Sequence, residues 1–223
     1  MPFRILVADD HEVVRRGLCA LLQAQPDWEI CGEANDGREA LEKTQKLKPD
    51  VVILDIGMPS LNGLEATRQI LRLNPQTKVL ILTLHDSDQV VREVLNAGAR
   101  GFLLKSDAAR DLVAAVEALR RDKTYFTSKV AAMVLEGYLK NGTPSAAPVP
   151  PSRSRLTPRE REIVQLLAEG KSTKEVAVAL GLSVKTAETH RSNIMRKLEL
   201  HSVSDLVLYA VRNNIVHVVQ PSL

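Results

Sequence analysis

Aromatic residues make up only 3% of this 223-residue chain, with a single tryptophan. Cysteine occurs twice, at Cys19 and Cys31, each in an apolar setting and without the spacing of a metal or redox pair. So sparse a usage excludes a disulfide-stapled scaffold and points to reduced core thiols in a cytoplasmic protein, with a bridge between the two left open. Long hydrophobic runs are also missing. Val51–Leu54 and Val79–Leu82 are typical of the uninterrupted apolar stretches, far short of the roughly 20 residues a bilayer-spanning helix needs. The N-terminus reaches Asp9-Asp10 without a basic segment and a long apolar stretch, so no signal peptide and no membrane partner are expected.

What is present suits a soluble globular chain long enough for two modest domains, with 44% hydrophobic and 26% charged residues. The net charge of +3 conceals an asymmetry. Residues 1–125 hold 17 Lys/Arg against 19 Asp/Glu, a net of −2, whereas residues 153–223 hold 11 against 7, a net of +4. Two parts of opposite sign imply different partners, and the basic one is suited to nucleic acid.

In chain order, apolar segments predict strands at Arg4–Ala8, 28–34, Val51–Leu54, Lys78–Thr83 and Gly101–Leu104. Helical spacing predicts helices between them. The first carries Val13, Val14, Leu18, Leu21 and Leu22. The others begin at Asp36, at Asn62, at the cap Asp86-Ser-Asp-Gln89 and near Asp107. Alternating strands and helices imply a parallel sheet with right-handed crossovers and helices on both faces. Residues 124–140 predict another helix, with Val130, Met133, Val134 and Tyr138 on one face. Asn141 to Arg155, rich in proline, serine and alanine, has no apolar face and reads as an extended linker. Beyond it every signal is helical. Thr157-Pro-Arg-Glu160 and Ser172-Thr-Lys-Glu175 are capping boxes, Ser183 and Ser202 start two further helices, and Leu180-Gly-Leu-Ser183 is the turn of a helix-turn-helix.

In such a sheet the carboxyl ends of the strands share one edge, which gathers Asp9, Asp10, Asp55, Thr83 and Lys105. Three carboxylates there repel one another unless a cation intervenes. Mg²⁺ suits two carboxylates, water and a phosphate oxygen, while Lys105 and Thr83 offer partners for further phosphate oxygens. An aspartate so placed can act as a nucleophile toward phosphorus. These residues, with Met58-Pro59, Asn62-Gly63 and Gly101-Phe-Leu-Leu-Lys105, resemble the receiver domain of bacterial two-component response regulators over residues 3 to about 122. The resemblance implies that Asp55 is the phosphoacceptor. It also implies that Asp10, Asp55 and the Gly57 carbonyl coordinate Mg²⁺, with Asp9 helping through water. Lys105 then pairs with the phosphoryl group, and Thr83 and Phe102 form the switch. Many receivers have a proline after the lysine. Here Ser106 follows, so a cis bond is not assumed. Gly57 and His85 are expected to tune loss of the phosphoryl group.

Advancing about 100° per residue along 183–198 gathers Ala187, Ile194 and Leu198 into a buried stripe, with Val184 at its border. Lys185, Thr189, Ser192 and Arg196 fall opposite, flanked by Glu188 and Asn193, a short-chained cationic face suited to a major groove. His190 and Lys197 lie where they could meet phosphates, and Arg191 is expected to pack its stem with its head snorkelling out. Leu156-Thr-Pro-Arg-Glu-Arg-Glu162, Ala168-Glu-Gly-Lys171, Lys185-Thr-Ala-Glu-Thr-His190 and Asn193-Ile-Met-Arg-Lys-Leu198 resemble the LuxR-type helix-turn-helix of the NarL/FixJ family. By that resemblance Lys185, Thr186, Glu188, Thr189, His190, Ser192, Arg196 and Lys197 are the DNA contacts. Some relatives have lysines where Glu188, Thr189 and Ser192 stand, which lowers the expected nonspecific term. The last helix is apolar almost all round, which suggests a dimer contact through Leu206, Val207, Tyr209 and Ala210.

The expected fold is thus a doubly wound five-stranded parallel sheet of order 2-1-3-4-5 followed by a small all-α domain. The bounds are 1–123 for the receiver, 124–155 for a linker helix and Pro-rich linker, and 156–223 for the DNA-binding domain. The expected function is a phosphorylation-regulated transcriptional regulator, a stoichiometric phosphoacceptor rather than an enzyme. Its expected partners are a sensor histidine kinase, double-stranded promoter DNA, a second copy when active and RNA polymerase. A haloacid-dehalogenase-like phosphatase also uses an aspartate nucleophile after a strand, but it needs a second aspartate where this chain has Gly57. An interaction protein independent of phosphorylation has no use for the full set of Asp9, Asp10, Asp55, Thr83 and Lys105.

Overall fold

Continuous apolar runs in the first half of the chain build a sheet buried on both faces. A computed structural model describes residues 2–84, 87–126, 130 and 156–216. The chain divides into two units, 1–145 and 146–223. In the first, β1 (Phe3–Ala8), β2 (Trp28–Ala34), β3 (Val51–Asp55), β4 (Lys78–Thr83) and β5 (Gly101–Leu104) alternate with α1 (Glu12–Gln23), α2 (Gly37–Leu47), α3 (Gly63–Leu73), α4 (Asp88–Ala97) and α5 (Ala108–Arg120). Every strand pair is parallel and the order is β2-β1-β3-β4-β5. Alternate residues divide between two cores. Leu6, Val52, Leu54, Val79, Ile81 and Phe102 pack with α2, α3 and α4 on one face. Ile5, Val7, Val51, Ile53, Leu80, Leu82 and Leu103 pack with α1 and α5 on the other.

Three local readings need correction. Ser87, not Asp86, caps α4, its side chain accepting from the Val90 N–H; His85 and Asp86 lie outside the described residues. A 3₁₀ turn at Lys105–Asp107 precedes α5. Residues 124–126 are not helical. Tyr125 lies beside Gly101, its N–H donating to Arg100 O and its carbonyl accepting from the Phe102 N–H. Val130 is buried in the first core, so the packing of this unit runs past residue 123. The remainder of the expected 124–140 helix and the linker from Asn141 lie outside the described residues. Both thiols are free. Burial pushes the Cys19 thiol up to about 11 and raises that of Cys31 as well.

In the second unit α6 (Pro158–Ala168), α7 (Thr173–Leu180), α8 (Val184–Lys197) and α9 (Val203–Arg212) begin at Thr157, Ser172, Ser183 and Ser202. Reciprocal capping boxes close α6, α7 and α9, each cap being worth about 1 kcal/mol. Gly181 adopts φ 63, the left-handed conformation that ends α7 and turns the chain into α8. Arg159, whose guanidinium donates to the Leu180 carbonyl at 2.6 Å and to Glu162, holds that turn from α6. The core gathers Ile163, Val164, Val176, Ile194, Leu206 and Ala210. The expectation that Leu206 and Ala210 present a dimer face is therefore corrected, because this i, i+4 pair is spent on the domain's own core. Tyr209 is half-buried against the same core, Val207 is half-buried, and the exposed apolar side chains of α9 are Val203 and Leu208. Among the described residues no helix is long and apolar enough to cross a membrane.

Candidate functional site

Parallel strands deliver their carboxyl ends to one edge, and β1, β3, β4 and β5 bring the expected polar groups there. Asp9 follows β1 and is wholly buried, Asp55 closes β3 at 5% exposure, Thr83 closes β4 in a buried position, and Lys105 follows β5. The Lys105 ammonium lies 2.7 Å from Asp9 Oδ2 and 3.0 Å from Asp55 Oδ2. Asp10 is more exposed, and the His11 Nδ1 sits 2.8 Å from its Oδ1. The His11 main-chain N–H donates to Asp9 Oδ1 at 2.9 Å. From behind, Arg15 on α1 donates to the Asp9 carbonyl at 2.7 Å while its Nε donates to Glu33 Oε2 at 3.1 Å. Gly57 is exposed beside the site, and its N–H donates to the Asp55 carboxylate.

The chain brings α3 hard against this edge through Gly63. A Cβ at that position would fall 2.0 Å from the Asp55 carbonyl oxygen, a distance no side chain tolerates. Asn62 caps α3 by accepting from the Glu65 N–H, and the Gly63 N–H donates to Ile56 O at 3.0 Å. The Asn62-Gly63 pair is thus a close-approach device as well as a turn. Thr83 is in register with Leu104, and Phe102 lies two residues before it on the same face. Both Thr83 and Phe102, the residues expected to form the switch, are buried.

Burial pushes the Asp55 carboxyl above the usual range; Lys105 pulls it down and Asp9 pushes it further up. For Lys105, burial favours the neutral amine, but the Asp55 and Asp9 carboxylates outweigh it and raise the pKa, so the ammonium keeps its charge. One lysine therefore serves two buried carboxylates, with Asp10 as a third nearby. Asp9 Oδ2 is buried, and its partner is the Lys105 ammonium at 2.7 Å. Ligand atoms from Asp9, Asp10, His11 and Asp55 all lie within 4.8 Å of one another. Excess negative charge and clustered oxygen donors fit a hard divalent cation such as Mg²⁺.

On α8 the residues read as groove-facing are Lys185, Thr186, Glu188, Thr189, Ser192 and Arg196, and all are exposed, while Ala187 and Ile194 are buried. Leu198 is the C-cap and only half-buried. Several groove-side groups already have partners. The Thr189 hydroxyl donates to Lys185 O at 2.9 Å, Thr186 Oγ1 meets Ser183 Oγ at 2.8 Å, and Arg196 donates to Asn193 Oδ1 at 2.8 Å. His190 is half-buried. Arg191 is half-buried and reaches Thr173 Oγ1 at 3.2 Å rather than open solvent. Lys197 departs from the expectation of a phosphate contact. It is half-buried and donates to Glu160 Oε2 at 2.7 Å, tying the end of α8 to the start of α6.

Sequence reasoning missed His11, Arg15 and Arg159. His11 directly follows Asp9-Asp10, and Arg15 stands four residues on, one helical turn along α1. Those spacings were the available signal. Arg159 carried none, because its target is a main-chain carbonyl 21 residues away.

A family model described as response regulator receiver domain matches residues 5–117, and one described as bacterial regulatory proteins, luxR family, matches residues 154–210. The transcriptional regulatory protein LiaR of Bacillus subtilis is 41% identical over 214 residues, 96% of this chain and 99% of that protein. The oxygen regulatory protein NreC of Staphylococcus carnosus is 39% identical over the same shares of both chains. Among solved structures, the response regulator RcsB in complex with DNA aligns with a TM-score of 0.57 at 26% identity, over 96% of this chain and 99% of that one.

Proposed function

The chain belongs to the two-component response regulators of the NarL/FixJ family, and we propose that Asp55 is its phosphoacceptor and α8 its DNA-reading helix. The observation that carries the first assignment is the Lys105 ammonium shared between Asp9 and Asp55 at the carboxyl edge of the sheet. That arrangement places a buried nucleophilic carboxylate beside a fixed positive charge, with room for charge neutralisation by an ion. Asp9, Asp10 and Asp55 with the Gly57 carbonyl would hold Mg²⁺. When bound, the ion neutralises phosphoryl oxygens as the new bond forms. A carboxylate oxygen of Asp55 attacks phosphorus as the bond to the imidazole of a sensor histidine kinase breaks. Lys105 keeps its proton and shifts from carboxylate to phosphoryl oxygen, and the Thr83 hydroxyl offers a third contact. The added charge biases a two-state equilibrium that Thr83 and Phe102 report.

The product is a phosphorylation-regulated DNA-binding transcriptional regulator rather than a classical enzyme. Lys185, Thr186, Glu188, Thr189, Ser192 and Arg196 face the groove and His190 flanks a phosphate, a reading supported by RcsB having been solved on DNA. Lys197 is assigned instead to tethering α8. The active form is a cytoplasmic homodimer on promoter DNA, within reach of RNA polymerase, its α9 contact resting on the exposed Val203 and Leu208 with the half-buried Val207. We propose bounds of 1–123 for the receiver, 124–155 for the linker and 156–223 for the DNA-binding domain, with Tyr125 and Val130 packing on the receiver. The test is phosphorylation of the full chain by acetyl phosphate with Mg²⁺. Wild type gains the mass of one phosphoryl group on the peptide carrying Asp55, and Asp55→Ala gains none. Retention of the phosphoryl group by Asp55→Ala would sink the assignment.

A further inference from the structure

We propose that Tyr125, Phe126 and Val130 strap the edge strand β5, tied to the main chain of Phe102, and that a phosphoryl charge on Asp55 loosens this strap. The signal then leaves the sheet along the chain that leads out of the first unit. The inference rests on the reading of Asp55 as phosphoacceptor and goes beyond it in naming the element that carries the signal onward.

An edge strand presents main-chain N–H and C=O groups on its outer side, and β5 ends the sheet order. Tyr125 meets two of those groups. Its N–H donates to the Arg100 carbonyl at 3.0 Å, and its own carbonyl accepts from the Phe102 N–H at 2.9 Å. The side chains then divide between the two faces. Tyr125 packs against the core that α1 and α5 cover, and Phe126 against the core of α2, α3 and α4. Val130, 2% exposed, is buried in that second core together with the Phe102 ring. The chain thus leaves one face of the sheet, passes its edge and anchors on the other face. Asp122, at φ 59, turns it there from the end of α5, and the Lys78 ammonium holds the Asp122 carboxylate at 2.7 Å.

The residue tied in this way is the one expected to report Asp55. Phe102 stands opposite Ile81 on β4, two positions before the Thr83–Leu104 pair. A pull on Thr83 toward Asp55 therefore reaches Phe102 through two paired strands. The strap holds Phe102 twice, by a hydrogen bond to its main chain and by a core shared with its ring. Those contacts belong to one position of Phe102, so a shift of the strand or the ring loosens them. Two hydrogen bonds, two half-buried rings and one buried valine make a segment of low local stability beside the central strands. That is the character a two-state element needs. Coupling is also reciprocal: a charge that loosens the strap binds more tightly once the strap is loose.

The experiment uses the full chain and beryllofluoride with Mg²⁺, a phosphoryl analogue that binds without being transferred. Amide exchange is read residue by residue by nuclear magnetic resonance, and beryllofluoride affinity from fluorine resonances. Saturation of the wild type is expected to speed exchange at Tyr125 and Phe102 about tenfold, while Ile5 in the central sheet changes about twofold or less. Val130→Ser should reproduce part of that acceleration without beryllofluoride and tighten its binding about fivefold. Val130→Ile, which keeps the apolar anchor, should match wild type in both. Urea unfolding followed by Trp28 checks that each variant folds, and Phe126→Ala, at a half-buried position, replaces Val130→Ser if the serine variant does not. Unchanged or slower exchange at Tyr125 in the saturated wild type overturns the proposal. So does faster Tyr125 exchange in the variant with unchanged beryllofluoride affinity, because the strap is then uncoupled from Asp55. A wild type that binds no beryllofluoride overturns the phosphoacceptor reading itself, a separate outcome that takes the coupling with it.

Discussion

Lys105→Met isolates the electrostatics on which the acidic edge depends. Methionine keeps most of the lysine stem and deletes the ammonium that stands 2.7 Å from Asp9 and 3.0 Å from Asp55. The lysine side chain is 9% exposed and the two carboxylate side chains 0% and 8%. The pair therefore belongs to the buried regime, in which removing one partner costs about 3–5 kcal/mol because a charge is left without compensation. Retained stem packing places the expected loss near the lower end, about 3 kcal/mol at about pH 8 without divalent ions. The sign with pH follows from Asp55, whose folded pKa is already raised by burial. A raised carboxyl binds more protons folded than unfolded, so its contribution to stability is lost as pH rises through the folded pKa and recovered as pH falls. Without Lys105 the folded pKa climbs further, so the penalty is smaller near pH 5 than near pH 8. Urea unfolding followed by Trp28, the chain's single tryptophan and part of the first unit's packing, reports that unit alone. Mg²⁺ at about a hundred times its dissociation constant adds about 2.7 kcal/mol to whichever form binds it. A loss under about 1 kcal/mol at the higher pH, or the same loss at both, would refute the reasoning.

Gly63→Ala forces a Cβ to within 2.0 Å of the Asp55 carbonyl. It should cost at least about 3 kcal/mol by the same fluorescence assay and abolish phosphorylation by acetyl phosphate; a variant within about 0.5 kcal/mol of wild type counts against the close approach. In the second unit, Leu206→Ala should lower stability by about 2–5 kcal/mol in thermal unfolding followed by circular dichroism, because the side chain is 2% exposed. Leu208→Ser, at a position 53% exposed, should change stability by no more than about 0.5 kcal/mol yet weaken DNA binding by the dimer. Unchanged DNA affinity would remove Leu208 from the dimer face.

The elements that were legible in the sequence are those whose signals are local. Ser172 and Glu175 announce α7 three residues apart, and their reciprocal hydrogen bonds are present in the fold. Strands β3 and β4 declare themselves by runs of buried aliphatics bounded by turns. Residues 124–126 were misread because the apolar spacing from Val130 to Tyr138 carries no start signal. What holds Tyr125 in place is main-chain bonding to residues more than twenty positions earlier. Helix α9 shows the complementary failure. Periodicity identifies Leu206 and Ala210 as one stripe, but it cannot say whether that stripe meets α6 of the same chain or a second copy.

The same division runs through the candidate site. Asp9, Asp55, Thr83 and Lys105 could be assembled from sequence because each follows or ends a strand, and parallel topology alone brings such ends to one edge. For His11 and Arg15 the spacing from Asp9-Asp10 was the only signal, and it does not encode which way a side chain turns. One turns away from a helix it would be expected to cap, and the other donates to a main-chain carbonyl. Lys197 fails in the opposite sense, because a helical projection counts its charge toward the groove while the fold neutralises it against Glu160. With that charge withdrawn, the exposed cations of α8 are Lys185 and Arg196, opposed by Glu188. If α8 lies in the groove as proposed, so small an excess makes phosphate attraction weak on this helix, and discrimination would rest on short polar side chains, Thr186, Thr189 and Ser192, reading base edges at close range.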